Sequence, residues 1–232
     1  MNKIKVWEWD LPTRLFHWTM VVLVVACFVT AKVGGNAMRV HAFCGHLLVA
    51  LITFRIVWGF CGSTYARFFN FVRGPRAILA YLQGRWHGLG HNPLGALSVL
   101  MLLFLVGAQA VTGLFATDDI SLKGPLYTAV SSSTASRLTS IHRWGEWALY
   151  LFVGLHILSL VFYAVFKKKD LVLPMITGYA RVEEGSEAKP ATGGSLMAFI
   201  IACLIAGAVW WVAGGGLLPP PPPPAPVQDL GW

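Results

Sequence analysis

Charge is what this chain has least of: Asp, Glu, Lys and Arg make up 12% of its 232 residues, against about 25% in an ordinary soluble domain. Beside 56% hydrophobic residues, that shortage excludes a water-soluble globular domain and indicates a membrane protein. Carboxylates are scarcer still, ten against eighteen Lys and Arg, for a net charge of +8. Cysteine is sparse: Cys27, Cys44, Cys61 and Cys203 all sit in or at the ends of apolar stretches, and no two form C-x-x-C. This argues against both a dithiol redox motif and a disulfide framework. Near the N-terminus no small-residue cleavage site follows a compact apolar region, so the first apolar stretch is read as a retained helix and not as a secretory signal.

What is abundant is apolar length. Five stretches, 11–33, 41–62, 94–116, 141–166 and 196–214, are long enough to cross about 30 Å of hydrocarbon. Asp10 is placed to cap the first helix and Pro12 fits its first turn. The fifth stretch has no ionisable residue and follows a polar linker, EEGSEAKPATGG, so it reads as an appended anchor more than a core helix.

Lys and Arg concentrate beside membrane spans on the side that is not translocated. The N-terminus (Lys3, Lys5, Arg14), the second connection (Arg67, Arg73, Arg76, Arg85) and the fourth (Lys167, Lys168, Lys169, Arg181, Lys189) hold twelve of the eighteen. Lys32, Arg39, Lys123, Arg137 and Arg143 fall on the other side, and Arg55 lies inside a span. The N-terminus is therefore expected in the cytoplasm. The positive charge has a topological origin, and nucleic acid is not an expected partner.

Histidine placement carries the chemistry. His142 and His156 lie fourteen residues apart in one apolar run, roughly 21 Å along a helix and within about 40° around it. One helix face thus offers two imidazoles at two depths, which suits a helix lending one ligand to each of two stacked haems. With alternating helix directions, His17 falls about 10 Å past the start of its helix and His156 about 15 Å before the end of its own, on the same side. His41 and His142 both open their helices from the opposite side. Two axial pairs follow: His17 with His156, and His41 with His142. His46 competes with His41, but five residues turn a helix by about 140°, so both cannot face one haem. Spacing favours His41. Arg55 stands fourteen residues after His41 and is a candidate partner for a haem propionate at the inner site, or else snorkels to headgroups. Arg14, Arg39 and Arg143 flank ligand positions at the membrane edges as secondary propionate candidates or interfacial residues. No C-x-x-C-H occurs, so haem would be held by axial bonds and packing. Two imidazoles fill both axial positions of an iron and leave none for a substrate, which suits electron passage.

The segments WDLPTRLFHW, HAFCGHLLVALITFRIVWGFCGS and HRWGEWALYLFVGLHI resemble the bacterial cytochrome b561 family, which includes the b-type cytochrome subunits of membrane-bound hydrogenases. The similarity runs from residue 7 to about residue 168. It implies a four-helix bundle with two b-type haems, ligated from the first helix, the second, and twice from the fourth. His17, His41, His142 and His156 match those positions. In the family the second-helix ligand also stands fourteen residues before an arginine, as His41 does before Arg55, while the place of His46 is not a ligand position. The segments after residue 170 depart from the shorter members.

Other features are secondary. GPRAILAYLQGRWHG should form a short amphipathic helix on the cytoplasmic membrane surface, bordering a quinone or partner site or simply interfacial. His87 and His91 are spaced like zinc ligands, but no cysteine or carboxylate stands near them to complete a site. Asp118 and Asp119 make an acidic outer edge that could protonate a substrate, attract a basic cytochrome, or belong to a solvated loop. Trp18, Trp58, Trp144, Trp210 and Trp211 sit mostly near span ends, as aromatic belts do. The run from Pro219 to Pro224 should be extended polyproline, a spacer or a docking segment.

The expectation is an all-α membrane protein: a four-helix transmembrane haem bundle (1–170), a cytoplasmic linker (171–195), a fifth C-terminal transmembrane helix (196–218) and a proline-rich tail (219–232). In a bacterial inner membrane it would carry electrons through two haems b between a redox partner, a periplasmic c-type cytochrome or a hydrogenase-like subunit, and the quinone pool. The alternative is a superoxide:quinone oxidoreductase, working at the outer haem behind a funnel formed by Lys32, Arg39, Lys123, Arg137 and Arg143 and opposed by Asp118 and Asp119.

Overall fold

The computed structural model describes residues 3–86, 88–118, 122–186 and 188–219. His87, Asp119 and the proline tail beyond residue 219 lie outside the described residues. Among those described, five helices are long and apolar enough to cross a membrane: α1 (Leu11–Val33), α2 (Ala37–Cys61), α5 (Pro93–Gly113), α6 (Ser132–Val165) and α8 (Leu196–Ala213). Three short helices, α3 (Phe68–Phe71), α4 (Pro75–Leu82) and α7 (Val172–Thr177), lie in the connections.

Side-chain caps start four of the long helices. Asp10 accepts from the N–H of Thr13 at 2.7 Å, Asn92 from Gly95 at 2.7 Å, Ser131 from Thr134 at 3.2 Å and Ser195 from Ala198 at 3.2 Å. Each satisfies an N–H that the first helical turn leaves open. Between α1 and α2 only residues 34–36 remain. Gly34 and Gly35 have φ of 67° and 53°, left-handed backbone that other residues seldom adopt, so the chain reverses at once and the two helices pack antiparallel.

Helix α2 is the centre. It packs against α1, α5 and α8, and α5 in turn packs against α6. Leu48, Val49 and Ile52 of α2 meet Val106 and Ala110 of α5 and Leu149 of α6 in one buried cluster, while Phe54 and Trp58 meet Phe16 of α1 and Ala202 and Ala206 of α8 in another. Large apolar side chains such as Val22, Phe104, Trp144 and Leu204 point away from the bundle, as they should where the solvent is lipid.

Helix α8 differs from a loosely appended anchor. It lies along α2 with Ala202 wholly buried and Ala206 and Ala213 nearly so, a row of small residues that lets two backbones approach. Helix α6 begins nine residues before the apolar stretch, because SSTASRLTS is helical but polar. At about 51 Å it outreaches a hydrocarbon core of about 30 Å. Its first turns pack on the preceding connection, where the N–H of Thr117 donates to Thr139 Oγ1 at 3.1 Å.

A two-stranded ribbon joins distant parts of the chain. Strand β1 (Lys3–Trp7) pairs antiparallel with β2 (Tyr179–Glu183), in the register Lys3↔Glu183 to Trp7↔Tyr179. The segment 171–195, expected as a linker, therefore carries α7 and β2, and further on Ala191 N–H donates to Trp7 O at 2.7 Å. The turn between α7 and β2 needs Gly178: its φ is 89°, a Cβ there would come 2.9 Å from Trp9 O, and its carbonyl accepts from both Glu8 and Trp9 N–H. The ribbon, the N-cap of α5 and the ends of α2 and α6 gather at one end of the bundle, here the N-terminal end. The α1–α2 turn and the start of α6 form the far end.

Candidate functional site

At the far end α2 and α6 bring His41 and His142 together across the bundle. The ring centroids are 6.0 Å apart and the ring planes nearly perpendicular, at 88°. His41 Nδ1 lies 3.0 Å from Cys27 O, and His142 Nδ1 lies 3.0 Å from Gln109 O and 3.2 Å from Thr112 Oγ1. A carbonyl oxygen only accepts, so each Nδ1 carries the proton and donates. Each Nε2 is then left with a lone pair, the form that binds a metal.

The helices are shaped to hold these rings. A Cβ at Gly113 would stand 3.1 Å from His142 Cε1, and one at Gly145 would collide with Gln109 Oε1. The two glycines let α5 and α6 close around the imidazole, and Gln109 Nε2 also donates to His142 O at 2.9 Å. A cavity of about 310 Å³ adjoins the pair, lined by Val24, Phe28, Gly45, Val106, Arg143 and Leu149 among others. Gly45, one turn beyond His41, would present a Cβ that meets nothing within 4 Å. An apolar chamber flanked by two lone-pair imidazoles, with glycine at its wall, fits a planar iron macrocycle. Arg143 is exposed at the cavity edge. Glu146, also at the edge, bonds Lys32 Nζ at 2.8 Å and accepts from Tyr150 Oη, tying α1 to α6 where those helices otherwise make no extensive packing.

His17 and His156 lie towards the N-terminal end, and a third imidazole stands by them. His91 occupies the turn before α5, with its ring between Trp9, at 4.8 Å, and Phe71, at 4.6 Å. Burial first, and then the charges of Arg55, His156 and His17, press its pKa down to about 3, so all four groups share one neighbourhood. Arg55 is 2% exposed, with Nη1 buried and unpartnered. Its guanidinium lies over Phe68 at 4.9 Å. Asp10 is the acid that acts on it, yet that carboxylate is already engaged: Oδ1 accepts from Thr13 N–H, and Oδ2 from Trp58 Nε1 at 3.1 Å and Ser63 N–H at 3.3 Å. One ring nitrogen of His17, Nδ1, is also buried without a hydrogen-bond partner. An imidazole free to ligate a metal and a buried cation short of an anion thus stand in the same neighbourhood. Arg14 spends Nη1 on Ile176 O at 2.6 Å, with Nε buried and unpartnered.

His46 turns away from His41, as its spacing requires. Its Nε2 donates to Trp210 O at 2.7 Å and its ring stacks on Trp210 at 5.0 Å. His46→Ala should therefore loosen α8, lowering the midpoint of thermal unfolding in detergent, while leaving the haem content of the purified protein unchanged. Haem lost in step with His46 would contradict the assignment.

Spacing tied His91 only to His87, as a zinc-like pair, and gave it no place beside His17 and His156, because it sits in a turn outside any apolar run. The one signal available was GHNP, a histidine directly before an Asn-Pro helix start. Nearby, burial raises the pKa of Glu8, although the Gly90 N–H that donates to Oε1 at 2.6 Å opposes the shift.

Apolar spanning helices with imidazoles set at two depths define a class: a membrane protein built to keep a redox metal group inside its bundle. Within that class, the sequence profile of the prokaryotic cytochrome b561 family matches residues 8–178, and the chain belongs to this family. It is a multi-pass membrane cytochrome of the b type, serving transmembrane electron transfer. It is similar to the probable Ni/Fe-hydrogenase B-type cytochrome subunit of Azotobacter vinelandii, 27% identical over 75% of this chain and 88% of the relative. The corresponding protein of Rhodobacter capsulatus is 25% identical, over 77% and 82%. The probable Ni/Fe-hydrogenase 1 B-type cytochrome subunit of Escherichia coli K12 is 21% identical, over 77% and 92%. No solved structure matches the chain.

Proposed function

We propose that the chain carries electrons across a bacterial inner membrane between a redox partner protein and the quinone pool, through two haems b held by His41 with His142 and by His17 with His156. The observation that carries this reading is the His41–His142 pair: two imidazoles 6.0 Å between centroids, each with Nδ1 donated to a backbone carbonyl, beside an apolar cavity. A haem held there by His41 and His142 would supply one-electron chemistry. The chain's own part is to fix the tautomers through Cys27 O and Gln109 O, to keep water from the ring edges with apolar walls, and to offer cations to the haem carboxylates. Of those cations Arg55 is the strongest candidate, since it is buried and short of an acceptor. Arg143 edges the far cavity, and Arg14 has given Nη1 to Ile176 O while its buried Nε is unpartnered.

Basic residues beside the spans support a cytoplasmic N-terminus, which puts the His41–His142 site nearer the periplasm. The partner would be a hydrogenase-like subunit or a c-type cytochrome, as the names of the relatives suggest for the former. The superoxide alternative loses support because one of the cations it needs, Lys32, is paired with Glu146 at 2.8 Å.

Proteoliposomes with menaquinone or ubiquinone in the bilayer give the test. A reduced c-type cytochrome or a hydrogenase with hydrogen, added outside, should reduce the haems and then the quinone, and His142→Ala should abolish the transfer. Reduction by superoxide alone, with both protein donors inert, would overturn the proposed partner class.

A further inference from the structure

We propose that His91 is a second donor to the inner haem, giving a hydrogen bond to the same propionate carboxylate that Arg55 binds. The proposal rests on the reading above, in which His17 and His156 hold that haem.

Unpartnered buried polar atoms are not scattered through the molecule. Among the described residues all of them lie at the N-terminal end, including Arg55 Nη1, His91 Nδ1, His17 Nδ1 and Ser63 Oγ. The far pair has no such deficit, since both of its Nδ1 atoms are bonded. Buried donors and acceptors left open cost about 1–3 kcal/mol each, so a cluster of them marks the place of a polar group that the polypeptide does not provide.

The chemistry of that group follows from the donors. Arg55 is a buried cation whose one acidic neighbour, Asp10, is occupied by three N–H groups. It needs an anion, and a neutral carbonyl would satisfy the hydrogen bond but not the charge. His91 is connected to Arg55 through an aromatic ladder: Arg55 over Phe68 at 4.9 Å, Phe68 to Phe71 at 5.6 Å, Phe71 to His91 at 4.6 Å. Trp9 and Phe71 flank the imidazole. The residues on either side of it are anchored, Gly90 to Glu8 and Asn92 both to Gly95 and to Tyr163 Oη at 2.9 Å. An imidazole held this way stays neutral and presents one N–H. A guanidinium and an imidazole N–H together can saturate one carboxylate.

The test uses the full chain with its haems. His17→Ala and His41→Ala first identify the α-band of each haem by its loss. His91→Leu, which removes the donor, should then lower the midpoint potential of the haem that depends on His17, because an unbonded carboxylate keeps more negative charge near the iron and favours the ferric state. The other haem should stay where it was. His91→Gln, which keeps an N–H, should hold the midpoint close to the original, and reduced-minus-oxidised infrared spectra should show a propionate carboxylate band displaced in His91→Leu only. If His91→Leu sheds that haem, its retention in His91→Gln at an unchanged midpoint supports the role, and loss in both overturns it. Unchanged midpoints at full occupancy, or an altered quinone rate with no change of midpoint, also overturn it. Full haem content in His17→Ala would instead bring down the underlying ligand assignment.

Discussion

His142→Ala should cut the haem bound per chain to about half if, as proposed, each of two haems stands on its own imidazole pair. The loss is expected to be all or none at that site. An alanine would leave His41 alone to hold the group, and it also empties the contact against Gly113 and the bonds to Gln109 O and Thr112 Oγ1. His41→Ala should give the same half-content, and the double variant should lose no more than either single one, because both act on one haem. Gln109 reaches His142 through a backbone carbonyl and a side-chain amide to the His142 carbonyl, so Gln109→Leu should keep the haem and only broaden its α-band. Pyridine haemochrome content against protein mass checks each of these. A double variant that falls to zero would show that the two sites are not independent.

The apolar periodicity of this chain was enough to mark its five crossings, because hydrocarbon demands long runs without charge. Four helix starts lie within a few residues of expectation, and Asp10 caps α1 as its place before Leu-Pro suggests. The facing of His41 and His142 was legible for a related reason: once helix directions alternate, rise per residue assigns a depth to each imidazole. What escaped was set by contacts between distant segments. Strand β2 reads YARVE, a charged run with no pattern of its own, and it becomes a strand by pairing with residues about 175 positions earlier. The start of α6 is polar and so invisible to hydropathy. Spacing had already set His46 aside as a ligand, but not named its partner Trp210, and α8 looked detached because a row of alanines carries little signal beyond small size. His91 lies in a turn, where no periodicity can assign a facing.

The N-terminal end depends on a single carboxylate, and Asp10→Asn should reveal it. Oδ1 caps α1 through Thr13, and Oδ2 accepts from the indole of Trp58 and the backbone of Ser63. Asp10 is 5% exposed and Trp58 1%, so neither atom has water in reserve. An asparagine keeps one acceptor. If its oxygen serves the cap, its amide nitrogen faces two N–H groups, and if it turns, the cap is lost. Either way at least one buried donor is stranded, at about 1–3 kcal/mol, and Arg55 loses the one acid whose charge acts on it, which for a buried cation adds a comparable cost. Asp10→Asn should therefore lower stability by about 3 kcal/mol or more, seen as a lower midpoint of thermal unfolding in detergent. Local damage should appear first at the haem proposed to depend on His17, because Asp10 joins the start of α1 to the end of α2. Asn92→Asp serves as the comparison at a second cap: it keeps the acceptor that caps α5 and exchanges the amide given to Tyr163 for a carboxylate that Tyr163 Oη can donate to. A variant at Asp10 as stable as the parent would mean that Arg55 and Trp58 draw their support from elsewhere.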